Sequence, residues 1–348
     1  MTVIVPTKRC DLRCTHCFRS TYAGSNMDLK LLARFLKEHK QYTSSTHHTL
    51  TGGEPTVYPK LGALYDTFRQ AGCTLHMVTN GQLDRGRQIT IANKDVVKSI
   101  TVSFDAPTAE ANDVTRGEGT FVKAVQALRE YNEAGIRVTP FYVLHDGNAH
   151  LIREAFELAK SLNIDFFQYT TLHPVQRATD AELKADHDKM WAAIDEIARL
   201  NKEYGMEVVC NAKTIVPDTG PEWKCDVLRE NAVDEMVLLP TGQMSICCDT
   251  YDVDFDFTTY KKECHVKQEY EHFNEIVGDM SQESLGDIYA RRTTHIAMLR
   301  ARREFDSYQG KLTGTRQYMC ENCKFYHFHS VTDKTGKAVI PIKILRSK

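Results

Sequence analysis

The stretch CDLRCTHC, residues 10–17, places three of the chain's 11 cysteines in one short loop. Spacings of three and two residues let several thiolates reach one metal centre without long-range folding. Structural zinc takes four protein ligands, and His16 would have to be the fourth beside the three cysteines. His16 directly precedes Cys17, so the two side chains cannot easily bind the same ion. Three thiolates on a four-iron cluster would instead leave one iron open to a ligand. The loop therefore predicts a metal centre, with a zinc knuckle and an iron–sulfur cluster as the two alternatives.

Six strand–helix units surround this loop in the first half of the chain. Strands are predicted at 2–7, 47–51, 74–79, 97–104, 136–144 and 165–169, and helices at 27–40, 61–71, 86–93, 121–134 and 151–162. A further helix is predicted at 180–204, after these units. Such alternation with short connections is typical of a parallel sheet with helices outside it. Six units are too few for a closed eightfold barrel, so the predicted α/β fold is a partial (β/α)6 TIM-like barrel.

Polar and glycine-rich motifs follow the predicted strands at the point where each strand ends. A glycine pair alone is most simply a tight turn. Together, however, these motifs lie at the carboxyl ends of the strands, the face where barrel folds carry their chemistry. In chain order they are the loop 10–17, Gly52-Gly53-Glu54-Pro55, Asn80-Gly81, Ser103, Asp105, His145, Asn148 and His173.

These motifs resemble those of radical S-adenosylmethionine (SAM) enzymes. CDLRCTHC has that family's cysteine spacing, and TGGEP at 51–55 looks like its Gly-Gly-Glu motif. Phe18 matches the aromatic residue the family has beside its last cysteine, and VTNG and SFD look like further family features. The resemblance covers about residues 2–172. It leaves a non-catalytic zinc protein as a remote alternative.

The resemblance implies a [4Fe–4S] cluster held by Cys10, Cys14 and Cys17, with SAM chelated at the open iron. An external one-electron donor of the flavodoxin or ferredoxin type would drive reductive cleavage of SAM. The resulting 5′-deoxyadenosyl radical would abstract a substrate hydrogen, as expected of a radical SAM oxidoreductase or isomerase. The backbone at 52–55 would meet the SAM amino group, and Ser103 and Arg116 its carboxylate or ribose. The implied cofactor-binding residues are Phe18, Gly52, Gly53, Glu54, Pro55, Ser103, Asp105 and Arg116, with Asp105 a weaker candidate and a solvated loop arginine as the alternative for Arg116.

The second half predicts a small α+β domain. A hairpin is expected at 236–240 and 244–247. Cys225, Cys247, Cys320 and Cys323 resemble the ligands of the twitch extension, a shorter relative of the SPASM domain, and imply one auxiliary [4Fe–4S] cluster. A four-cysteine zinc site is the alternative. Cys248 could replace Cys247, whereas Cys73 is expected in the core. The predicted domains are residues 1–205 for the radical SAM core and 206–348 for the auxiliary domain.

The residues before the cysteine loop bear on the predicted substrate. Only nine residues precede Cys10, which disfavours a separate leader-peptide-binding domain and favours a small molecule such as a sugar, cyclitol or nucleoside. Modification of a ribosomal peptide or protein is one alternative. Basic residues in the second half keep a modified nucleotide or DNA base as another. His173 and Asp249 are weak candidates for catalytic acid–base residues.

Composition narrows the class of protein further. The 348 residues are 42% hydrophobic, and 44 basic against 46 acidic side chains give a net charge of -2. The net charge of the whole chain therefore does not indicate a nucleic-acid-binding protein. There is no export signal and no apolar run of membrane-spanning length, so we expect no membrane partner. Reduced thiols and an oxygen-sensitive cluster favour the cytoplasm.

Overall fold

The structure is a computed structural model that describes most of the first half of the chain and parts of the second. The described residues are 2–17, 24–172, 181, 183–210, 236–246, 276–308, 331–332 and 338–339.

One mixed sheet forms the centre of the fold. Its strand order is β10-β9-β8-β1-β2-β3-β4-β5-β6-β7. The strands β8, β1, β2, β3, β4, β5, β6 and β7 are neighbours in that order, and each pair is parallel. The β8–β9 and β9–β10 pairs are antiparallel. The strands are β1 (Val3–Ile4), β2 (His47–Leu50), β3 (Thr74–Thr79), β4 (Val97–Ser103), β5 (Arg137–Leu144), β6 (Phe166–Thr171), β7 (Glu207–Cys210), β8 (Val237–Leu238), β9 (Gln243–Ser245) and β10 (Ile276–Asp279). Two further strands, β11 (Val331–Thr332) and β12 (Ala338–Val339), pair with each other.

Helices connect the parallel strands from β1 to β7, and one more helix follows β10. They are α1 (Leu29–Tyr42), α2 (Leu61–Gln70), α3 (Asp84–Ala92), α4 (Ala109–Arg116), α5 (Thr120–Glu133), α6 (Ile152–Ser161), α7 (His187–Tyr204) and α8 (Leu285–Tyr308). Short 3-10 turns lie at Pro55–Val57 and Ala149–Leu151. No helix within the described ranges is long and apolar enough to cross a membrane.

Helix α1 shows how local sequence sets these elements. Asp28 caps its start by accepting a hydrogen bond from the Lys30 amide at 2.8 Å. Leu32, Phe35 and Leu36 recur at helical spacing and are fully buried against the sheet. The core lies between this layer of helices and one face of the strands. Cys73 is part of that core, as predicted.

The structure confirms an α/β fold with a parallel sheet and contains all six predicted strands, although β1 is only two residues long. The structure also contains helix α4, which the spacing of apolar residues did not predict. It also adds β7, and it pairs the predicted hairpin strand β8 directly with β1. The sheet therefore continues beyond residue 205. The division into domains 1–205 and 206–348, like the partial barrel, remains a prediction.

Candidate cofactor site

The cysteine loop follows β1 and is fastened to two neighbouring turns. Gly53 donates its amide to the Thr7 carbonyl at 3.1 Å, and Glu54 donates to the Arg9 carbonyl at 2.8 Å. Further along the loop, the Thr15 amide donates to the Thr115 carbonyl of α4 at 2.8 Å. The backbone on both sides of the loop is therefore fixed by the chain itself.

The glycine pair is required by this close approach. A Cβ at Gly53 would lie 2.1 Å from the Arg9 carbonyl oxygen, and one at Gly52 would lie 2.6 Å from Val5. Gly52 also has φ +138, which side-chain-bearing residues rarely adopt. In this structure the backbone of the predicted SAM-binding motif packs on the start of the cysteine loop.

Glu54 supports that turn from within. Its carboxylate is 1% exposed and accepts hydrogen bonds from the Thr56 amide and hydroxyl, the Thr79 hydroxyl and the Asn80 amide, at 2.6–3.0 Å. Burial raises its pKa to about 7, although these hydrogen bonds act in the opposite direction. Glu54 is therefore a structural tie between the ends of β2 and β3.

Asn80 extends the tie to the cysteines. Its side-chain amide donates to Asp11 at 2.7 Å and lies 3.9 Å from the Cys10 sulfur. The Leu12 amide donates to the same sulfur at 3.4 Å. These N–H groups point at a thiol that is predicted to carry iron, where such contacts stabilise thiolate charge.

Asp105 lies at the end of β4 and is the most heavily contacted carboxylate of the site. Its Oδ1 accepts from Arg116 Nη2 at 2.9 Å and from the Val143 amide at 3.4 Å. Its Oδ2 accepts from the Thr115 hydroxyl at 2.9 Å and lies 2.8 Å from Arg116 Nε and 3.4 Å from His16 Nδ1. Burial alone would raise the pKa of Asp105, but the Arg116 guanidinium outweighs it and the pKa is lowered. Asp105 and Arg116 therefore form a buried ion pair.

His16 joins this ion pair to the cysteine loop. Arg116 Nη2 lies 3.5 Å from His16 Nε2, and Asp105 lies on the Nδ1 side of the ring. Burial lowers the pKa of His16 to about 4, so the ring is neutral at physiological pH. The Nδ1 of this ring is buried and makes no hydrogen bond within the described residues, although Asp105 Oδ2 lies 3.4 Å away.

His145, directly after β5, is a further buried histidine of this region. Its Nδ1 accepts from the Gly147 amide at 3.1 Å, so the neutral ring carries its proton on Nε2. That Nε2 is buried and has no hydrogen-bond partner among the described residues. Burial lowers the pKa of His145, which keeps the ring neutral.

The three loop cysteines are free thiols and half-buried. Burial raises the pKa of Cys10 to about 12 and that of Cys14 to about 11, so both are protonated when no metal neutralises a thiolate. Within the described ranges, no three His, Cys, Asp or Glu side chains are arranged around a common metal position. The donor set nevertheless fits a cluster in kind. It offers three thiols on one fastened loop, with N–H donors at Cys10 and a cation, Arg116, whose charge opposes the rise that burial causes in the pKa of Cys14.

The structure brings most predicted site residues to one edge of the sheet. The glycine turn, Ser103, Asp105 and Arg116 all lie at the carboxyl ends of β2 and β4 or in the adjacent α4, with Ser103 half-buried. Arg116 is 7% exposed, so the alternative of a solvated loop arginine is wrong. The following predicted residues lie outside the described residues: Phe18, His173, Cys225, Cys247, Asp249, Cys320 and Cys323.

Sequence reasoning missed the parts played by His16, Thr115 and His145. His16 was considered only as a zinc ligand, whereas the structure places its ring beside Asp105. The position of His145 after a predicted strand was noticed, but its unpartnered nitrogen is visible only in three dimensions. Thr115 gave no signal of its own.

Comparison with known proteins adds a family and several relatives. Residues 4–159 match the family model of the radical SAM superfamily. The mycofactocin maturase MftC of Mycobacterium tuberculosis is 31% identical over 179 residues, covering 50% of this chain and 45% of that protein. The PqqA peptide cyclase of Methylocella silvestris is 25% identical over 251 residues, covering 69% and 65%. Streptococcus suis SuiB bound to its precursor peptide SuiA aligns with a TM-score of 0.64 and 17% identity, over 83% of this chain and 64% of that one.

These matches test the sequence predictions in part. They confirm a radical SAM domain at 4–159 and, at the level of that superfamily, the predicted SAM and [4Fe–4S] cofactors. The likeness to SuiB shows the fold alone. The chain spans about half the length of MftC, so the activity of the whole protein does not transfer directly. One of these relatives is named as a maturase and another as a peptide cyclase, and neither name supports the small-molecule substrate that the sequence favoured.

Proposed function

We propose that this chain is a radical SAM enzyme that modifies a ribosomally made peptide. The observation that carries the proposal is the fastened cysteine loop: three free thiols after β1 are held between the glycine turn and α4. A structural zinc site needs no buried ion pair beside it, whereas a site for an amino-acid-bearing cofactor does need fixed charge. The peptide as substrate rests on the relatives named above.

In this proposal each group of residues has a separate task. Cys10, Cys14 and Cys17 hold the [4Fe–4S] cluster, and the turn 52–55 and Ser103 border SAM. Arg116 meets the carboxylate of SAM, where a guanidinium offers a charge-assisted hydrogen bond. When bound, the cluster and SAM supply the abstraction of a hydrogen atom from an unactivated C–H bond. The electron comes from an external donor of the flavodoxin or ferredoxin type.

We also retain the auxiliary cluster as part of the proposal. Its ligands would be Cys225, Cys247, Cys320 and Cys323, and four thiolates leave such a cluster no open iron. A filled cluster suits electron relay better than substrate binding. Anaerobically reconstituted protein should hold about eight iron atoms per chain, and a Cys320→Ala variant about four. Normal turnover by that variant would contradict the relay role.

SAM cleavage tests the core of the proposal. Reconstituted protein should release 5′-deoxyadenosine from SAM on reduction, and Cys14→Ala should lose both the activity and the iron of this site. The matched control is Cys73→Ala, because Cys73 is a core cysteine away from the loop. Zinc in place of iron, with no SAM cleavage, would support the remote zinc alternative and refute the enzyme.

Isotope transfer tests the substrate class. Deuterated peptides encoded by genes neighbouring this one should pass deuterium to 5′-deoxyadenosine, and the mass change of the peptide distinguishes oxidation from isomerisation. Deuterated sugars, cyclitols and nucleosides form the second arm. Transfer only from that second arm would return the substrate to a small molecule while leaving the radical SAM activity standing.

A further inference from the structure

Asp105 was predicted as a possible SAM contact, yet its carboxylate is fully engaged by the protein. It is 1% exposed, and its two oxygens face Arg116, Thr115, His16 and the Val143 amide. A carboxylate offers about four lone-pair positions. Three hydrogen bonds and the nearby Nε of Arg116 occupy the carboxylate, and its burial closes it to a ligand that arrives from outside.

The backbone of Asp105 is fixed as well. Its amide donates to the Asn112 side chain at 2.9 Å, and its carbonyl accepts from the Asn148 side chain at 2.8 Å. Asn112 belongs to α4, and Asn148 belongs to the turn after β5. Both tying residues are buried. The carboxylate therefore has one position, set by three elements of the fold.

The contacts of Asp105 determine how Arg116 is presented. The carboxylate lies along the Nε and Nη2 side of the guanidinium. Because the guanidinium is planar and rigid, engaging its Nε and Nη2 side also fixes the direction of Nη1. The Nη2 group of Arg116 also lies 3.5 Å from Nε2 of His16. His16 is a residue of the cysteine loop, between Cys14 and Cys17 in sequence. The orientation of Arg116 is thus set jointly by Asp105 and by the cysteine loop.

We propose that Asp105 is a positioning residue: it aims Arg116 at SAM, and through His16 it links that arginine to the cluster loop, without touching SAM itself. This inference rests on the SAM-binding part of the proposed function. It assigns Asp105 a role different from that of a ligand contact. It also implies that the occupied cluster loop and the SAM site are assembled together.

A double-mutant cycle on SAM affinity separates the two roles. Equilibrium dialysis with labelled SAM would be run on reconstituted wild type, Asp105→Asn, Arg116→Gln and the double variant, each checked for iron content and folding. Each single substitution should weaken SAM binding by about tenfold or more. Adding Asp105→Asn to Arg116→Gln should change the affinity by less than about twofold. A further loss of about tenfold in the Arg116→Gln background would mean that Asp105 contacts SAM directly and would overturn the inference.

The double variant and one new variant, Thr115→Val, keep the test decisive if a single charge change prevents folding. The double variant is a neutral pair, and Thr115→Val removes one donor to Asp105 while keeping both charges. Thr115→Val should weaken SAM binding by about two- to fivefold. Unchanged affinity in this variant would count against positioning. Glu110→Gln is the matched control, because Glu110 is on the same helix but is exposed to solvent.

Electron paramagnetic resonance of the reduced cluster supplies a readout that a loss of folding stability would not produce. In the wild type, adding SAM should shift the spectrum. Asp105→Asn should keep the cluster signal but require a higher SAM concentration for the shift, as should Thr115→Val. If the wild type itself shows neither binding nor a shift, the proposed function fails. If the wild type responds and the variants match it, only the positioning role fails.

Discussion

Two buried carboxylates at the same edge of the sheet behave in opposite ways. Glu54 follows β2 and Asp105 follows β4, and each is 1% exposed with donors on both oxygens. Burial raises the pKa of Glu54 to about 7, whereas the pKa of Asp105 is lowered. The donors around Glu54 are neutral amides and hydroxyls, but Asp105 faces the guanidinium of Arg116.

The difference shows that hydrogen bonds alone do not keep a buried carboxylate charged in this protein. A nearby cation does, because its attraction in a low-dielectric interior exceeds that of a neutral donor. Glu54 can therefore connect the ends of β2 and β3 even when its carboxyl group is protonated. The turn at Asp105 holds fixed charge beside the cysteine loop, where the proposed function places a charged cofactor.

The largest expected effect comes from removing the cation. Arg116→Met leaves Asp105 buried without its partner and should lower the free energy of unfolding by about 3–5 kcal/mol. The Asp105→Asn, Arg116→Met double variant should recover a large part of that loss, because no unpaired charge remains. Urea unfolding of the four proteins measures both effects. A double variant no more stable than Arg116→Met would show that the loss comes from packing.

The pH dependence of stability should separate the two carboxylates next. The folded-state pKa of Glu54 lies above its ordinary value of 4.5, so its stabilising contribution is complete below pH 4.5 and is lost as pH rises through about 7. Over that window the stability difference between wild type and Glu54→Gln should shrink by about 3 kcal/mol.

Asp105 supplies the contrast for that measurement. Its pKa is lowered, so its contribution is complete above its ordinary value of 3.8 and is lost only in stronger acid. The stability cost of Asp105→Asn should therefore stay constant where that of Glu54→Gln falls. Parallel slopes for the two variants would refute the comparison.

A smaller effect is expected at the glycine turn. Gly53→Ala places a methyl group against the Lys8 and Arg9 carbonyls, at 2.5 and 2.1 Å, so the start of the cysteine loop must move. We expect about 1–3 kcal/mol of destabilisation and reduced iron binding at the loop. Gly62→Ala is the control, since nothing lies within 4 Å of its Cβ position in α2, and it should be neutral or stabilising. Full iron content in Gly53→Ala would contradict the packing role of the turn.

The smallest effect compares two threonines that make the same contact. Thr79 donates to Glu54 at 2.7 Å, and Thr115 donates to Asp105 at 2.9 Å. Replacement by valine should cost about 1 kcal/mol at Thr79 and about 2 kcal/mol at Thr115, because a hydrogen bond to a charged group contributes more. Equal costs in urea unfolding would indicate that the two carboxylates share one charge state.

The sequence predicted the strands and the placement of the motifs well, because both follow from periodicity and from the order of strands. It missed α4 because the buried face of that helix is polar, with Asn112, Thr115 and Arg116 inside. The apolar Val114 on the same helix is 73% exposed. A search for apolar spacing cannot find such a helix.

The Asp105–Arg116 pair was out of reach for a related reason. Both residues were noted as candidates toward SAM, but nothing in the spacing shows that one saturates the other. That result depends on α4 turning Arg116 back over the end of β4. The preference for a small-molecule substrate is not supported by the comparisons, and it rested on the short stretch before Cys10, which is not informative about substrate chemistry.

The pairing of β1 with β8 has a consequence for biosynthesis. Val3 and Ile4 of β1 pair with residues 237 and 238 of β8. One edge of β1 therefore stays unpaired during synthesis until residues 237 and 238 have left the ribosome. Pairings between residues so distant in sequence form slowly, and an open strand edge invites aggregation in the meantime. A fragment that ends at residue 205 would keep this edge exposed permanently. Expression yield and solubility should therefore depend on residues 237–238 as well as on the other parallel strands of the sheet.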